Sequence, residues 1–107
     1  MALKFMEQDA MKTVLLEKLR ETVAEWARMH NIKTTAIEVK FSGFGAGVHV
    51  LVVARRGFEN WRWAERERDL FRFINRQFNG NGDFVITRLE TMTEEEYEKF
   101  EDVEVPY

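Results

Sequence analysis

The first third of the chain carries hydrophobic residues at helical spacing. Between residues 9 and 29 they fall on one stripe, while lysines, arginines and glutamates fill the other face. The stripe consists of Met11, Leu15, Leu16, Leu19, Val23, Trp26 and Ala27. This pattern predicts a helix over residues 9 to 29, capped by Asp9, because a carboxylate accepts hydrogen bonds from the free N–H groups of a first turn. His30 and Asn31 are expected to end it, since asparagine tolerates the left-handed conformation.

The next two segments have the pattern of strands. From Thr35 to Phe41 apolar and polar residues alternate, with Ala36, Glu38 and Lys40 on the polar face, as in a strand with one side exposed to water. Val48 to Ala54 is apolar at every position except His49, which favours a central strand. The glycine-rich segment between them is short, so an antiparallel hairpin is predicted.

A second helix is predicted from Asn60, as its cap, to about Phe78. The stripe expected to lie on the sheet consists of Trp63, Ala64, Leu70, Phe71, Ile74 and Phe78. Glu67 stands where an apolar residue is expected, and a carboxylate there must be paired or neutralised. An ion pair with an arginine one turn away is the simpler interpretation, and a functional carboxylate is the alternative.

A third strand is predicted from Phe84 to Leu89. Thr93 with Glu96 three residues later forms a capping box for a last helix around residues 94–100. The element order is therefore α-β-β-α-β-α, which favours an α+β fold: a single three-stranded sheet with helices on one face. We expect one domain over residues 1–102, with residues 103–107 as a frayed acidic tail.

Composition limits the possible functions. The chain has 107 residues, enough for one self-sufficient core, and no cysteine, which removes thiolate metal sites and thiol nucleophiles. No apolar run approaches the length that a bilayer requires, and the first residues lack the pattern of an export signal, so the cytoplasm is the expected location.

Charge is distributed unevenly. The net charge is -3, yet residues 94–104 hold seven acids and one base, Lys99, which leaves the rest of the chain with net positive charge. Arginines crowd one stretch: Arg55, Arg56, Arg62, Arg66, Arg68, Arg72 and Arg76. They could bind phosphates or carboxylates through their forked donors. Alternatively, they pair with the acids among them, namely Glu59, Glu65, Glu67 and Asp69.

Candidate catalytic chemistry is sparse. The glycines of residues 43–47 lead into a strand, whereas a phosphate loop leads into a helix N-terminus. Phe44 in that loop is a candidate partner contact. His30 and His49 lie on different elements without metal-ligand spacing, and Ser42, the only serine, has no recognisable base. We therefore expect neither an enzyme nor a cofactor.

Two motifs resemble those of a known family. The segment from Gly47 through the second strand to Phe58, followed by Arg66-Glu67-Arg68, resembles the signature of BolA-like proteins, where a valine-rich strand precedes an F-x-G turn and an R-H-R motif lies in the next helix. Residues 91–97, Thr-Met-Thr-Glu-Glu-Glu-Tyr, resemble the family's T-L-T-P-E-E-W segment. The resemblance covers about residues 9 to 100 and implies a fold similar to a class II KH domain.

The chain departs from that family at three positions. Asn60 stands in place of the glycine of the turn, and Glu67 in place of the histidine of R-H-R. Val85 occupies the position of a histidine that the family links to sharing an iron–sulfur cluster with monothiol glutaredoxins. Valine cannot ligate iron, so the resemblance implies the fold without the metal chemistry and makes a glutaredoxin partner doubtful.

The sequence thus predicts a small non-enzymatic binding or regulatory module that acts through protein–protein contacts. The expected surface consists of Phe44, Arg55, Arg56, Arg62, Arg66 and Arg68, with the exposed member of the pair Trp61 and Trp63 as an anchor. The alternative is a KH-like nucleic-acid-binding module that uses the arginines of residues 55–76; the pI near 5.5 and the lack of a GXXG turn between helices oppose it. An exposed sheet edge could also pair two copies into a homodimer.

Overall fold

A computed structural model describes residues 2–43, 45–78 and 84–104, with side chains for residues 12–43, 45–78 and 84–100. The elements follow the predicted order: α1 (Ala2–Met29), β1 (Lys33–Phe41), β2 (Gly47–Arg56), α2 (Trp63–Phe78), β3 (Val85–Thr93) and α3 (Glu94–Glu104). One three-stranded mixed sheet and three helices confirm the α+β fold class. Phe44 lies outside the described residues, so its predicted contact role is untested.

The first helix differs from its prediction at one end. It begins at Ala2, so Asp9 lies within the helix and its prediction as the cap was wrong. The other end is as expected: Asn31 has φ 56°, and the N–H of Ile32 donates to the carbonyl of Ala27 at 2.8 Å. This bond and the left-handed residue satisfy carbonyls of the last turn and direct the chain into β1.

The sheet has β2 at its centre. It pairs antiparallel with β1, which confirms the predicted hairpin, and parallel with β3 through the α2 crossover. Alternate residues of β2 face the helices and are buried: Val48, Val50, Val52 and Ala54. The opposite face carries rows of residues that the register sets side by side, such as Glu38, Leu51 and Glu90.

Helices α1 and α2 pack on each other and on the sheet around one core. The α2 stripe differs from its prediction, because Leu70, Phe73 and Ile74 are buried whereas Trp63 and Phe71 are exposed. The helix begins at Trp63, so Asn60 is not its cap. Phe58 is buried in the core, and a turn bond from Trp61 N–H to its carbonyl occupies the segment that was expected to be helical.

The last two elements, β3 and α3, are both longer than predicted. Strand β3 runs four residues further than expected, and α3 follows it directly and contacts both β2 and β3. The α3 helix continues to Glu104, so residues 103 and 104 belong to it, and residues 105–107 lie outside the described part. None of the described helices is both long and apolar enough to cross a membrane.

Gly57, directly after β2, lies where a side chain should destabilise the fold. Its φ is 111°, and a Cβ atom there would lie 2.7 Å from the Cα of Ile32. Gly57→Ala should therefore lower the free energy of unfolding by about 2–4 kcal/mol, since both backbone strain and a steric clash oppose it. Urea unfolding monitored by tryptophan fluorescence measures this loss.

Gly45→Ala is the matched control for that substitution. Gly45 also has positive φ, 55°, but nothing lies within 4 Å of the added Cβ. Its cost should be about 1 kcal/mol, the backbone contribution alone. Equal losses in the two variants would show that the contact between Gly57 and Ile32 is not tight.

Candidate functional site

Arg66 lies in the interior, although the sequence placed it on the partner surface. Its side chain is 3% exposed and its guanidinium stacks 4.5 Å from the ring centre of Phe58. Its Nε donates to Thr91 Oγ1 at 2.8 Å, and its two terminal nitrogens donate to the carbonyls of Trp61 and Thr91 and to Glu96 Oε1. These bonds use four of the five N–H donors of a buried side chain. Arg66 is therefore unavailable to a partner, and its prediction as part of the partner surface was wrong.

The bonds to Thr91 close part of one sheet edge. Strand β3 is an edge strand, and the backbone N–H and C=O of Thr91 point away from β2. The N–H donates to Glu67 Oε2 at 2.8 Å, and the C=O accepts from Arg66 at 2.8 Å. Two consecutive side chains of α2 therefore stand in for a neighbouring strand at this position.

Glu67 has a different partner from the one expected. Its carboxylate receives the edge N–H of Thr91, and no described arginine makes a salt bridge with it, so the predicted ion pair one turn away was wrong. Burial raises the pKa of Glu67, and hydrogen bonds from Thr91 and Trp63 together with the charge of Arg66 offset only part of that effect. The role of Glu67 in the described structure is to hold α2 on β3.

Glu96 connects this network to α3. The N–H of Thr93 donates to Glu96 Oε1 at 2.8 Å, and the N–H of Glu96 donates to Thr93 Oγ1 at 3.0 Å, which confirms the predicted capping box. The same oxygen lies 2.6 Å from Arg66. Partial burial alone would raise the pKa of Glu96, but these hydrogen bonds and the Arg66 charge outweigh it and lower the pKa.

Trp61, one of the two tryptophans predicted for the partner surface, is surrounded by aromatic rings. Trp61 is half-buried, with its ring centre 5.5 Å from that of Trp26 and 4.9 Å from that of His30. Asp69 Oδ2 accepts from Trp26 Nε1 at 2.8 Å and lies 3.2 Å from His30 Nε2. This cluster fixes Trp61 against α1, so Trp61 is a packing residue, and Trp63 is the exposed tryptophan of the two.

Trp63 stands at the start of α2 with 57% of its surface exposed. Its indole is close enough to Glu67 to help lower the pKa of that carboxyl, against the effect of burial. Phe71, two turns further on, is 42% exposed. Residues 63, 67 and 71 share one flank of α2, and this flank lies beside β3 because Glu67 bonds to Thr91.

The predicted arginines other than Arg66 are exposed. Arg55 lies 3.5 Å from Glu94 of α3. Within the described part of the chain, the remaining ones make no ion pair: Arg56, Arg62, Arg68, Arg72 and Arg76. We define the Trp63 surface as Trp63 with Arg55, Arg56 and Arg62, which lie at the end of β2 and the start of α2.

The acids among these arginines bind elsewhere, contrary to the expected pairing. Glu59 accepts the N–H of Gly57 at 2.9 Å, Glu67 accepts that of Thr91, and Asp69 binds the tryptophan and histidine described above. Only Glu65 has no such described use, and it is exposed. The arginines of this region therefore form few ion pairs with their sequence neighbours, although the charge of Glu59 acts on nearby Arg56.

The residues present do not fit the iron–sulfur cluster that the resemblance would imply. Val85 lies at the start of β3 beside Gly47, and its N–H donates to the carbonyl of Ala46. The structure thus brings the hairpin loop and the expected ligand position together, but an aliphatic side chain occupies that position. Among the described residues, no group of three His, Cys, Asp or Glu side chains could hold a metal ion.

Two grooves on the described part of the chain lie away from the Trp63 surface. One, of about 510 Å³, runs between α1 and α2 and is lined by residues such as Glu25, Phe73 and Phe78. A smaller one, of about 130 Å³, lies over His49 and Leu51 on the sheet face that α1 and α2 leave uncovered. His49 is half-buried there, with no described metal partner.

Comparison with known proteins adds no identification. No protein-family model matches the sequence, and no curated protein matches it either. The resemblance to BolA-like proteins therefore stays a prediction that depends on the short motifs.

Replacement of Arg66 tests the buried network. Arg66→Ala leaves the buried carbonyl of Thr91 without its side-chain donor and Glu96 without its cationic partner, so we expect a loss of at least about 3 kcal/mol in unfolding free energy. Arg66→Lys should recover little, because one ammonium cannot reproduce the fork. Arg68→Ala, an exposed control on the same helix, should change stability by about 0.5 kcal/mol or less. Similar losses at residues 66 and 68 would contradict the network.

The two carboxylates of the network should respond to pH in opposite directions. The pKa of Glu67 is raised in the folded state, so its contribution to stability increases as pH falls from neutral toward its ordinary value of 4.5. The pKa of Glu96 is lowered, so its contribution is present above the unfolded pKa and disappears as pH falls through the folded one.

Urea unfolding at neutral pH and near pH 4 measures this for Glu67→Gln and Glu96→Gln. On acidification, the stability advantage of the wild type over Glu67→Gln should grow, and its advantage over Glu96→Gln should shrink. Parallel changes in the two variants would mean that the two carboxyl groups do not differ in environment.

Proposed function

We propose that this chain is a small, non-enzymatic binding module of BolA-like architecture that docks to an acidic segment of another protein in the cytoplasm. The observation that carries the proposal is the exposure of Trp63, 57%, beside arginines that form few ion pairs. Tryptophan and arginine are the residues that contribute most to interface energies.

Two features support the architecture and the absence of cluster chemistry in this proposal. The element order and the mixed sheet agree with what the resemblance implies. Val85 stands at the expected ligand position, so the proposal does not include cluster sharing with a monothiol glutaredoxin. The partner surface would instead lie at the opposite end of β3, where Trp63 is located.

A second candidate function is nucleic-acid binding. It is favoured by the outward arginines of α2, Arg68, Arg72 and Arg76, which recur every four residues and have no described ion pair. Such a row, with about 6 Å between successive side chains along the helix, could contact phosphates. The exposed indole favours a protein partner, because stacking on bases usually involves several aromatic rings on one face.

Affinity purification with Trp63→Ala tests the proposal. The wild-type chain and Trp63→Ala are used as baits in extract of the native cell, and co-purifying proteins are quantified by mass spectrometry. Val14→Ala serves as the control, since Val14 is also exposed (49%) but lies on α1 away from this surface. A specific partner should be retained by the wild type and by Val14→Ala and reduced about tenfold or more with Trp63→Ala, which corresponds to a binding hot spot.

A nuclease-treated arm and a salt series separate the two candidates. Protein docking should persist after nuclease treatment and weaken only modestly as salt rises, whereas phosphate contacts weaken steeply. Loss of every co-purifying protein on nuclease treatment would favour the nucleic-acid candidate. Identical partner sets for the wild type and Trp63→Ala would exclude the Trp63 surface.

A further inference from the structure

The two edges of the sheet differ in how their backbone groups are satisfied. On β3, Thr91 is bonded by Glu67 and Arg66, and the N–H of Thr93 by Glu96. On β1, the other edge, no described side chain or loop hydrogen-bonds to the outer backbone groups. An edge of this kind is a template for another strand.

The hairpin determines which groups of β1 point outward. The N–H of Ser42 donates to the carbonyl of Gly47 on β2 at 2.8 Å. Since backbone direction alternates along a strand, Phe41, Val39 and Ile37 direct their N–H and C=O groups away from β2. The bulges of β1 lie between residues 33 and 36, so residues 36–41 form a regular outer ladder.

We propose that a second copy of this chain pairs antiparallel with this ladder, with Val39 opposite Val39 of the second copy. Ile37 then lies opposite Phe41 of the second copy, and the three outward-facing pairs can form six backbone hydrogen bonds. Between them, Glu38 lies opposite Lys40 of the second copy, twice by symmetry. The result is a continuous six-stranded sheet.

The charges of Glu38 and Lys40 favour this register over the registers that are shifted by two residues. A shift of the partner by two residues in one direction sets Glu38 opposite Glu38, and a shift in the other direction sets Lys40 opposite Lys40. Like charges directly opposite each other on neighbouring strands are unfavourable, whereas opposite charges attract. Both side chains are more than half exposed and form only a 3.3 Å pair along their own strand, so they can reach across the edge.

The apolar residues of β1 fit the same arrangement. Ile37 and Phe41 lie on the helix-covered face and are half-buried, next to the fully packed Val39. In the proposed register, Ile37 of one copy packs against Phe41 of the second copy, and the two-fold axis repeats this contact. This self-complementarity, in backbone, charge and apolar contact at once, favours a second copy over an unrelated strand.

Disulfide trapping tests the register. The chain has no cysteine of its own, so only the introduced cysteines can form a cross-link. Glu38→Cys and Lys40→Cys are prepared as separate full-length variants and oxidised alone or mixed. Their Cα atoms are expected about 4.5 Å apart across the edge, within disulfide reach. The mixture should form cross-linked heterodimer at least about tenfold faster than either variant forms homodimer. Equal rates, or no cross-link in the mixture, would overturn the register.

Sedimentation equilibrium across a concentration series tests the charges, with circular dichroism to verify folding. Glu38→Lys alone or Lys40→Glu alone should raise the dimer dissociation constant about tenfold or more, because each creates two like-charge pairs. The double swap Glu38→Lys/Lys40→Glu restores complementarity and should restore dimerisation. A wild-type chain that stays monomeric up to about millimolar concentration, or a double swap as weak as the single variants, would refute the proposal.

Discussion

The buried guanidinium of Arg66 is the contact on which the arrangement of the C-terminal half depends. A charge that is withdrawn from water must be matched by bonds in the interior, or the fold loses several kcal/mol. Here α2 supplies the charge, β3 supplies a hydroxyl and a carbonyl, and α3 supplies the carboxylate of Glu96. One side chain therefore fixes how three elements meet.

The same packing determines what the surface presents. Arg66 and Glu67 hold α2 against β3, and Trp63, one turn earlier on the same flank as Glu67, stays 57% exposed at the start of the helix. Acids that could have neutralised the neighbouring arginines are used for backbone and indole contacts instead. An exposed indole beside arginines that form few ion pairs thus results from how the core is closed, and this combination supports a role in docking.

The network also makes the two sheet edges unequal. Side chains of α2 and α3 occupy the backbone groups of β3 near its end, whereas β1 presents a regular row of outward groups with alternating charge. Edge strands are usually protected by charges, by bulges or by cover. In this chain side chains bind the end of one edge, at Thr91 and Thr93. The other edge carries Glu38 before Lys40, an order that favours one register with a second copy and disfavours registers shifted by two residues.

Much of the fold follows from the sequence alone, because the responsible interactions are local. The apolar stripe of α1, the asparagine at its end, the short hairpin and the capping box of Thr93 and Glu96 each involve residues a few positions apart, whose geometry the sequence determined. The partners of Arg66 and Glu67 on β3 and α3 lie 24 to 30 residues away, so only the tertiary structure decided that these charges are buried and bonded. It also decided which tryptophan faces solvent, since helical spacing separates Trp61 from Trp63 but does not say which side meets the core.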